Sequence, residues 1–265
     1  MPPAPLPSRR AVIARWIATF ALPAFTQGIA GASGAGGDAV KVAVAANFAA
    51  PAQRIANAFE QATGHRATLA IGSTGRFHAQ IRNAAPFHVL LSADSETPAR
   101  LESEGLAVAG TRFTYATGRL ILWSADANGV DAQGDVLRQG RIARLAVADP
   151  RLSPYGAATF QAMTRLGVLE SLRPRLVRGE SIGQAWQFAA SGNAQAGFVA
   201  LAQVWEGGRI ARGSAWLVPA DLHAPLRQDA ALLAPGRQHA GARAFLDFLK
   251  GPQARAIIRD HGYEL

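Results

Sequence analysis

The chain has 265 residues, enough for one or two compact domains with a substantial core. Hydrophobic residues make up 49% and charged residues 17%, which excludes a disordered chain, and the lack of cysteine excludes a disulfide framework, a thiol nucleophile and a thiolate metal site. The formal charge of +9 comes from singly scattered arginines such as Arg54, Arg66, Arg76 and Arg100, with lysine only at 41 and 250, so no basic stripe suited to a nucleic acid forms.

In chain order, Ser8-Arg9-Arg10 precedes an apolar run, Ala11–Phe25, and a small-residue segment holding Ala30-Gly31-Ala32. Charged start, apolar middle and small-residue end predict a secretory signal over residues 1–32, and the paired arginines resemble a twin-arginine signal. The apolar run is shorter than the roughly 20 residues that span a bilayer. Its removal takes away three arginines and no acids. Residues 33–39 then form a Gly-rich linker, and the chain that follows is expected to be exported and soluble.

Val40–Ala46 is a predicted strand, followed by a helix that accepts Pro51 in its first turn, repeats apolar residues at Ile55, Ala58, Phe59 and Ala62, and stops at Gly64. Ala67–Ile71 is the next strand. Ser73 or Thr74 caps a second helix with Phe77 and Ile81 on one face, and Val89–Ser92 is a third strand. Farther on, strands are predicted at Leu120–Trp123, Leu145–Ala148, Ala196–Ala200, Ala215–Val218 and Ala230–Ala234. Helices are predicted around Ala157–Leu166, Ile182–Ala190, His239–Leu249 and Pro252–His261. Alternating strands and helices in two runs predict an α/β protein of two lobes, each a mostly parallel sheet flanked by helices.

Four segments share one design, in which a strand ends, a small or polar residue follows and a helix begins: Ala46-Asn47-Phe48, Gly72-Ser73-Thr74-Gly75, Ser153-Pro154-Tyr155-Gly156 and Glu180-Ser181-Ile182-Gly183. A helix start leaves backbone N–H groups unpaired and carries the positive end of the helix dipole. Any one of these is ordinarily just a cap. Four of them, at the strand ends where α/β sheets hold ligands, suit an anion site without formal positive charge.

The segments GSTGRFHAQIRNAAPFHVLLSAD, VAVAANFAAPAQRIANAFEQATG, ADPRLSPYGAATFQAM and FLDFLKGPQARAIIRDHGYEL resemble those of the periplasmic molybdate-binding proteins of ABC transporters, and the likeness runs from about Val40 to Leu265. The resemblance implies a class II periplasmic-binding-protein fold closing on a tetrahedral oxyanion, with lobe I over 40–117 plus 223–265 and lobe II over 118–222. It implies molybdate or tungstate as ligand, no cofactor, and no metal other than the molybdenum of that oxyanion. It also implies a periplasmic location, a monomer, and an inner-membrane ABC permease as partner.

By matching motifs, Asn47 stands where the family donates from its first strand. Ser73 or Thr74 supplies a hydroxyl from the second, and Ile182 gives a backbone N–H from lobe II. Many members place a ligand tyrosine after Gly-Ile-Val, where this chain has Gly197-Phe198-Val199-Ala200; Tyr155, after the proline of the neighbouring loop, is expected to supply that hydroxyl. The ligand logic agrees, because a dianion without protons wants many donors and no acceptors.

Two rival classes weigh against this reading. An exported enzyme finds little support, since the six histidines show no metal-ligand spacing and no phosphate-binding GxxxxGK occurs. A carrier of sulfate or a small organic anion is the alternative within the binding class, with Arg76 or Arg119 facing a carboxylate.

Overall fold

A computed structural model describes Met1 and residues 38–265; the predicted signal over 1–32 and most of the 33–39 linker lie outside the described residues. Strand β1 (Val40–Ala45) gives way to a 3-10 turn over Ala46–Phe48 and then helix α1 (Ala49–Thr63). Gly64 ends α1 in the left-handed conformation at φ 71°, as a helix C-terminal glycine does. Ile55, Ala58 and Phe59 are buried as their spacing predicts, whereas Ala62 in the last turn is exposed.

Strand β2 (Ala67–Gly72), helix α2 (Thr74–Arg82), strand β3 (Val89–Leu91) and helix α3 (Glu96–Ser103) complete the first run. Two strands then follow in succession, β4 (Phe113–Gly118) and β5 (Leu120–Ser124), with only Arg119 between them. Next come β6 (Leu145–Ala148), α4 (Pro154–Arg165), α5 (Leu169–Leu172), β7 (Leu176–Gly179), α6 (Ile182–Ala190) and β8 (Ala196–Ala200). A small ribbon of β9 (Trp205–Glu206) and β10 (Arg209–Ile210) precedes β11 (Ser214–Leu217) and β12 (Leu226–Leu232). Helices α7 (Ala240–Lys250) and α8 (Pro252–Asp260) close the chain.

The strands form two five-stranded sheets, ordered β2-β1-β3-β12-β4 and β11-β5-β8-β6-β7. In the first, β1 runs parallel to β2 and β3, while β12 is antiparallel to β3 and β4. The second pairs β6 in parallel with β7 and β8, and adds β5 and β11 antiparallel. In each sheet successive strands step to opposite sides of one strand, β1 in the first and β6 in the second. Such switch points are where open α/β sheets leave a crevice at their carboxyl ends.

The first sheet is packed on both faces. Phe48, Phe59, Phe245 and Ile258 form one core with α1, α7 and α8, and Phe77, Ile81 and Leu101 of α2 and α3 form the other. The second sheet builds its own core around Trp123, Phe198, Met163 and Tyr155.

The structure adds strands β4, β7, β9 and β10 and helices α3 and α5 to the predicted elements, and it shifts β12. Strand β12 begins at Leu226, four residues before the predicted Ala230, because Gln228 and Asp229 are buried in spite of their polarity. Asp229 accepts hydrogen bonds from Thr114 Oγ1 at 2.7 Å and Arg112 Nη1 at 2.8 Å. Strand β4 lacked a hydrophobic signature for the same reason: its partner is this polar stretch, and a bulge at Gln228/Asp229 leaves Tyr115 unmatched in the ladder.

Candidate functional site

The carboxyl ends of β1, β2 and β3 face those of β6 and β7. Between them lies a narrow cavity of about 10 Å³. Its wall holds Asn47, Ser73, Thr74 and Ile182, four of the five residues singled out in the sequence, together with Ser153 and Ser181. The wall contains no Lys, Arg, Asp or Glu among the described residues.

Each residue gets there for a local reason. Ser73, Ser153 and Ser181 are the N-caps of α2, α4 and α6, and their hydroxyls accept from the N–H groups of Arg76, Gly156 and Gln184. Capping uses a lone pair of the hydroxyl oxygen and leaves its proton free. The same serine therefore caps a helix and offers a donor to the cavity, so the ordinary and the functional reading of these positions are compatible. Pro154 at the first turn of α4 costs nothing, since that N–H has no helical partner.

Thr74, the first residue of α2, is 1% exposed, and its Oγ1 accepts from the N–H of Ala93 at 3.1 Å. This bond ties the start of α2 to the end of β3. Ile182 opens α6, so its own N–H has no partner within the helix. Its carbonyl accepts from Gln203 Nε2 at 3.3 Å, and Gln203 Oε1 accepts from the N–H of Ala200 at 2.9 Å. Gln203, a residue without any motif to mark it, thereby fixes the start of α6 against the end of β8. Ala200 itself is fully buried and brings no side-chain donor.

Asn47 sits in the turn after β1, 2% exposed; its Nδ2 donates to Gln228 Oε1 at 2.8 Å and to Tyr263 Oη at 3.1 Å. Tyr155, the fifth predicted residue, does not line the cavity. It is fully buried, and its hydroxyl accepts from Gln228 Nε2 at 3.2 Å, so that it reaches Asn47 through Gln228. Burial holds the Tyr155 hydroxyl well above the ordinary phenol range, so it stays protonated at neutral pH. Gln228 escaped the sequence reading because a lone glutamine in a polar stretch carries no signal until β12 places it.

Asp149 remains outside the wall. The side chain and N–H of Arg151 hold its carboxyl below the usual range, and its backbone carbonyl accepts from the N–H groups of Leu152 and Ser153. It shapes the loop. Nor do the candidate arginines reach the cavity: Arg76 pairs with Glu180, and Arg119 lies 3.9 Å from Glu264.

The Arg76–Glu180 pair joins α2 to the segment before α6, and the N–H of Gly75 donates to the Leu152 carbonyl at 2.9 Å, so contacts from both sheets close the rim. Both charged side chains are about half exposed, and exposed pairs contribute about 0–1 kcal/mol. Arg76→Ala is therefore expected to weaken ligand binding less than about fivefold, with the difference vanishing at high salt. Titration at two ionic strengths checks this; a larger, salt-independent loss would place Arg76 at the ligand.

The family model of bacterial extracellular solute-binding proteins matches residues 40–264. The molybdate-binding protein ModA of Azotobacter vinelandii is 51% identical over 226 residues, covering 85% of this chain and 90% of that protein. ModA of Rhodobacter capsulatus is 52% identical over 226 residues, covering 84% and 87%. The solved structure of the Azotobacter vinelandii periplasmic molybdate-binding protein aligns with a TM-score of 0.83 at 42% identity, covering 85% of this chain and 99% of that one. The two sheets accordingly form a two-lobed α/β periplasmic-binding-protein fold. On these grounds the chain belongs to the family of bacterial extracellular solute-binding proteins.

Proposed function

We propose that this protein is the binding component of a molybdate ABC transporter, taking up molybdate, and tungstate as its near equal in size and charge. One observation carries the reading: the cavity wall offers hydroxyls and helix N-termini and no charged side chain. At neutral pH molybdate is a dianion without protons. It is best held by many neutral donors, which desolvate at lower cost than a guanidinium. The relatives at 51% and 52% identity, named as molybdate-binding proteins, support the same ligand.

In this reading Ser73, Thr74, Asn47 and the Ile182 N–H donate directly to the oxyanion, and Ser153 and Ser181 add hydroxyls. Tyr155 acts from behind Asn47 or swings its hydroxyl forward when the ligand enters. Residues 40–117 with 223–265 form lobe I and 118–222 form lobe II. The chain crosses between them near Arg119 and again near Pro219–His223, and these crossings serve as the hinge. Contacts from both lobes then stabilise the closed form. Residues 1–32 direct export to the periplasm, where the loaded monomer delivers its anion to a membrane permease.

The test is isothermal titration of residues 33–265 with molybdate, tungstate, sulfate and phosphate. Tight one-to-one binding of the first two and silence from the others is expected. Heat from sulfate alone would move the function to another anion on the same fold, and silence from all four would end the carrier reading.

A further inference from the structure

Behind the cavity lies a buried polar cluster drawn from distant parts of the chain. Gln228, fully buried on β12, is its centre. Gln228 Oε1 accepts from Asn47 Nδ2 at 2.8 Å and from the Tyr115 hydroxyl at 3.1 Å, and Nε2 donates to the Tyr155 hydroxyl at 3.2 Å. The Tyr263 hydroxyl donates to the Asn47 carbonyl at 2.8 Å. The bulge at Gln228/Asp229 is what leaves Tyr115 free to turn towards this cluster.

One atom does not fit. With Nδ2 of Asn47 engaged by Gln228 and Tyr263, its Oδ1 is buried without any hydrogen-bond partner, on a residue that lines the cavity. A buried carbonyl oxygen without a donor is costly, and it is the wrong group to present to an unprotonated oxyanion. The two ends of a carboxamide have nearly the same shape and opposite hydrogen-bonding character, so turning one over needs no extra space.

Turning only Asn47 would set its Oδ1 against Gln228 Oε1, acceptor against acceptor. Turning both amides restores the pairing between them, and the single proton of the Tyr263 hydroxyl is then shared between Asn47 Oδ1 and the Asn47 backbone carbonyl. Gln228 Nε2 then donates to Asn47 Oδ1 and to the Tyr115 oxygen, whose own proton goes to the Ser92 carbonyl, 3.0 Å away. Gln228 Oε1 then accepts from the Tyr155 hydroxyl. Asn47 Nδ2 is released towards the cavity.

Resting on the molybdate reading above, we propose that Gln228 is a positioning residue for ligand selection: its carboxamide, turned together with that of Asn47, holds Asn47 Oδ1 so that Asn47 offers Nδ2 to the ligand. The arrangement with Oδ1 forward would suit a ligand carrying a proton, such as hydrogen phosphate. The turned arrangement suits a bare dianion. Gln228 bonds to Tyr155 of the second sheet's core and to Asn47 and Tyr115 of the first sheet, so the choice is linked to how the two lobes meet.

The experiment compares the wild-type protein with Gln228→Leu and Gln228→Glu by titration with molybdate at pH 5.5 and pH 8. Gln228→Leu removes the donor that holds Asn47 Oδ1, and a loss of about tenfold or more is expected at both pH values. In Gln228→Glu the introduced carboxyl, while protonated, can donate to Asn47 as the amide did. Once ionised it can only accept, and it draws Nδ2 away from the ligand. Its affinity is expected to fall by about 50-fold or more between pH 5.5 and pH 8, while the wild type changes little.

The groups around Gln228 do not supply such a profile. Burial raises the Tyr115, Tyr155 and Tyr263 hydroxyls out of this range, and the Asp229 carboxylate is held on the other side by Arg112 and Thr114. Burial raises the Asp94 carboxyl, bonded to Ser92 and Thr97, and its contribution is common to the wild type and both variants, so the wild type reads it. Wild-type binding with both variants inside twofold at both pH values would overturn this inference and leave the carrier reading intact. A wild type that binds none of the four anions would overturn both.

Discussion

Replacing Ser73 and Thr74 together by alanine is expected to weaken molybdate binding by about 3–6 kcal/mol, since each hydroxyl hydrogen bond to a charged ligand is worth about 1.5–3 kcal/mol. That is a loss of roughly two to four orders of magnitude in Kd. The same change removes the α2 N-cap, which accepts from Arg76, and the Thr74 bond to Ala93. Cap loss costs about 1 kcal/mol of stability. Two measurements separate the roles: titration reads the ligand bonds, and thermal unfolding without ligand reads the cap. A lowered Tm with unchanged Kd would show that these hydroxyls serve the helix alone. Single variants would then decide between Ser73 and Thr74, a choice that the loop sequence leaves open.

Gly156→Ala is expected to have a large effect on folding. Gly156 lies in the first turn of α4, and an added Cβ would stand 2.6 Å from the Ala148 carbonyl oxygen and 2.7 Å from that of Asp149. Both are backbone atoms at the end of β6, and they cannot swing aside as the tip of a side chain would. The helix must lift off the sheet, an overpacking cost of about 1–3 kcal/mol or more. For a domain of this size that lowers Tm by about 2–12 °C, at about 2–4 °C per kcal/mol. The lift also carries Ser153 away from the cavity and Tyr155 away from Gln228, so affinity falls together with stability. Calorimetry with and without molybdate checks both; a Tm within about 1 °C of wild type would mean that α4 slides freely on β6.

The two predictions test opposite ends of the same construction. Ser73 and Thr74 are donors aimed at the ligand. Gly156 is the absence of a side chain that lets a helix start come close enough to aim one. An anion site made of dipoles depends on this second kind of residue, because a partial charge on an N–H or O–H falls off over the first turn of a helix.

Much of this protein was legible in the sequence. Gly64, Pro51 and the buried Ile55–Phe59 face marked α1 because turn chemistry and helical period are local properties. The short apolar runs Leu145–Ala148 and Ala196–Ala200 are strands with those same bounds, since strands covered on both faces have no polar side to show. Ser73, Ser153 and Ser181 were visible as helix starts for the same local reason, and four of the five site residues meet at one cavity.

What escaped depends on pairing across the chain. Strand β12 carries Gln228 and Asp229 in buried positions, and only partners more than a hundred residues away make that polarity tolerable. Gln203 and Gln228 have no motif, because their work is to hold Ile182 and Asn47 from another element. Tyr155 could be placed next to a helix start from its neighbours, but which way its hydroxyl points was decided by the space beside Gly118 and by Gln228. Local chemistry thus determined the elements and the donors, through propensity, capping and period. The tertiary structure alone decided which donors converge and what holds each in place, because hydrogen-bond satisfaction in a buried site is a property of the assembled neighbours.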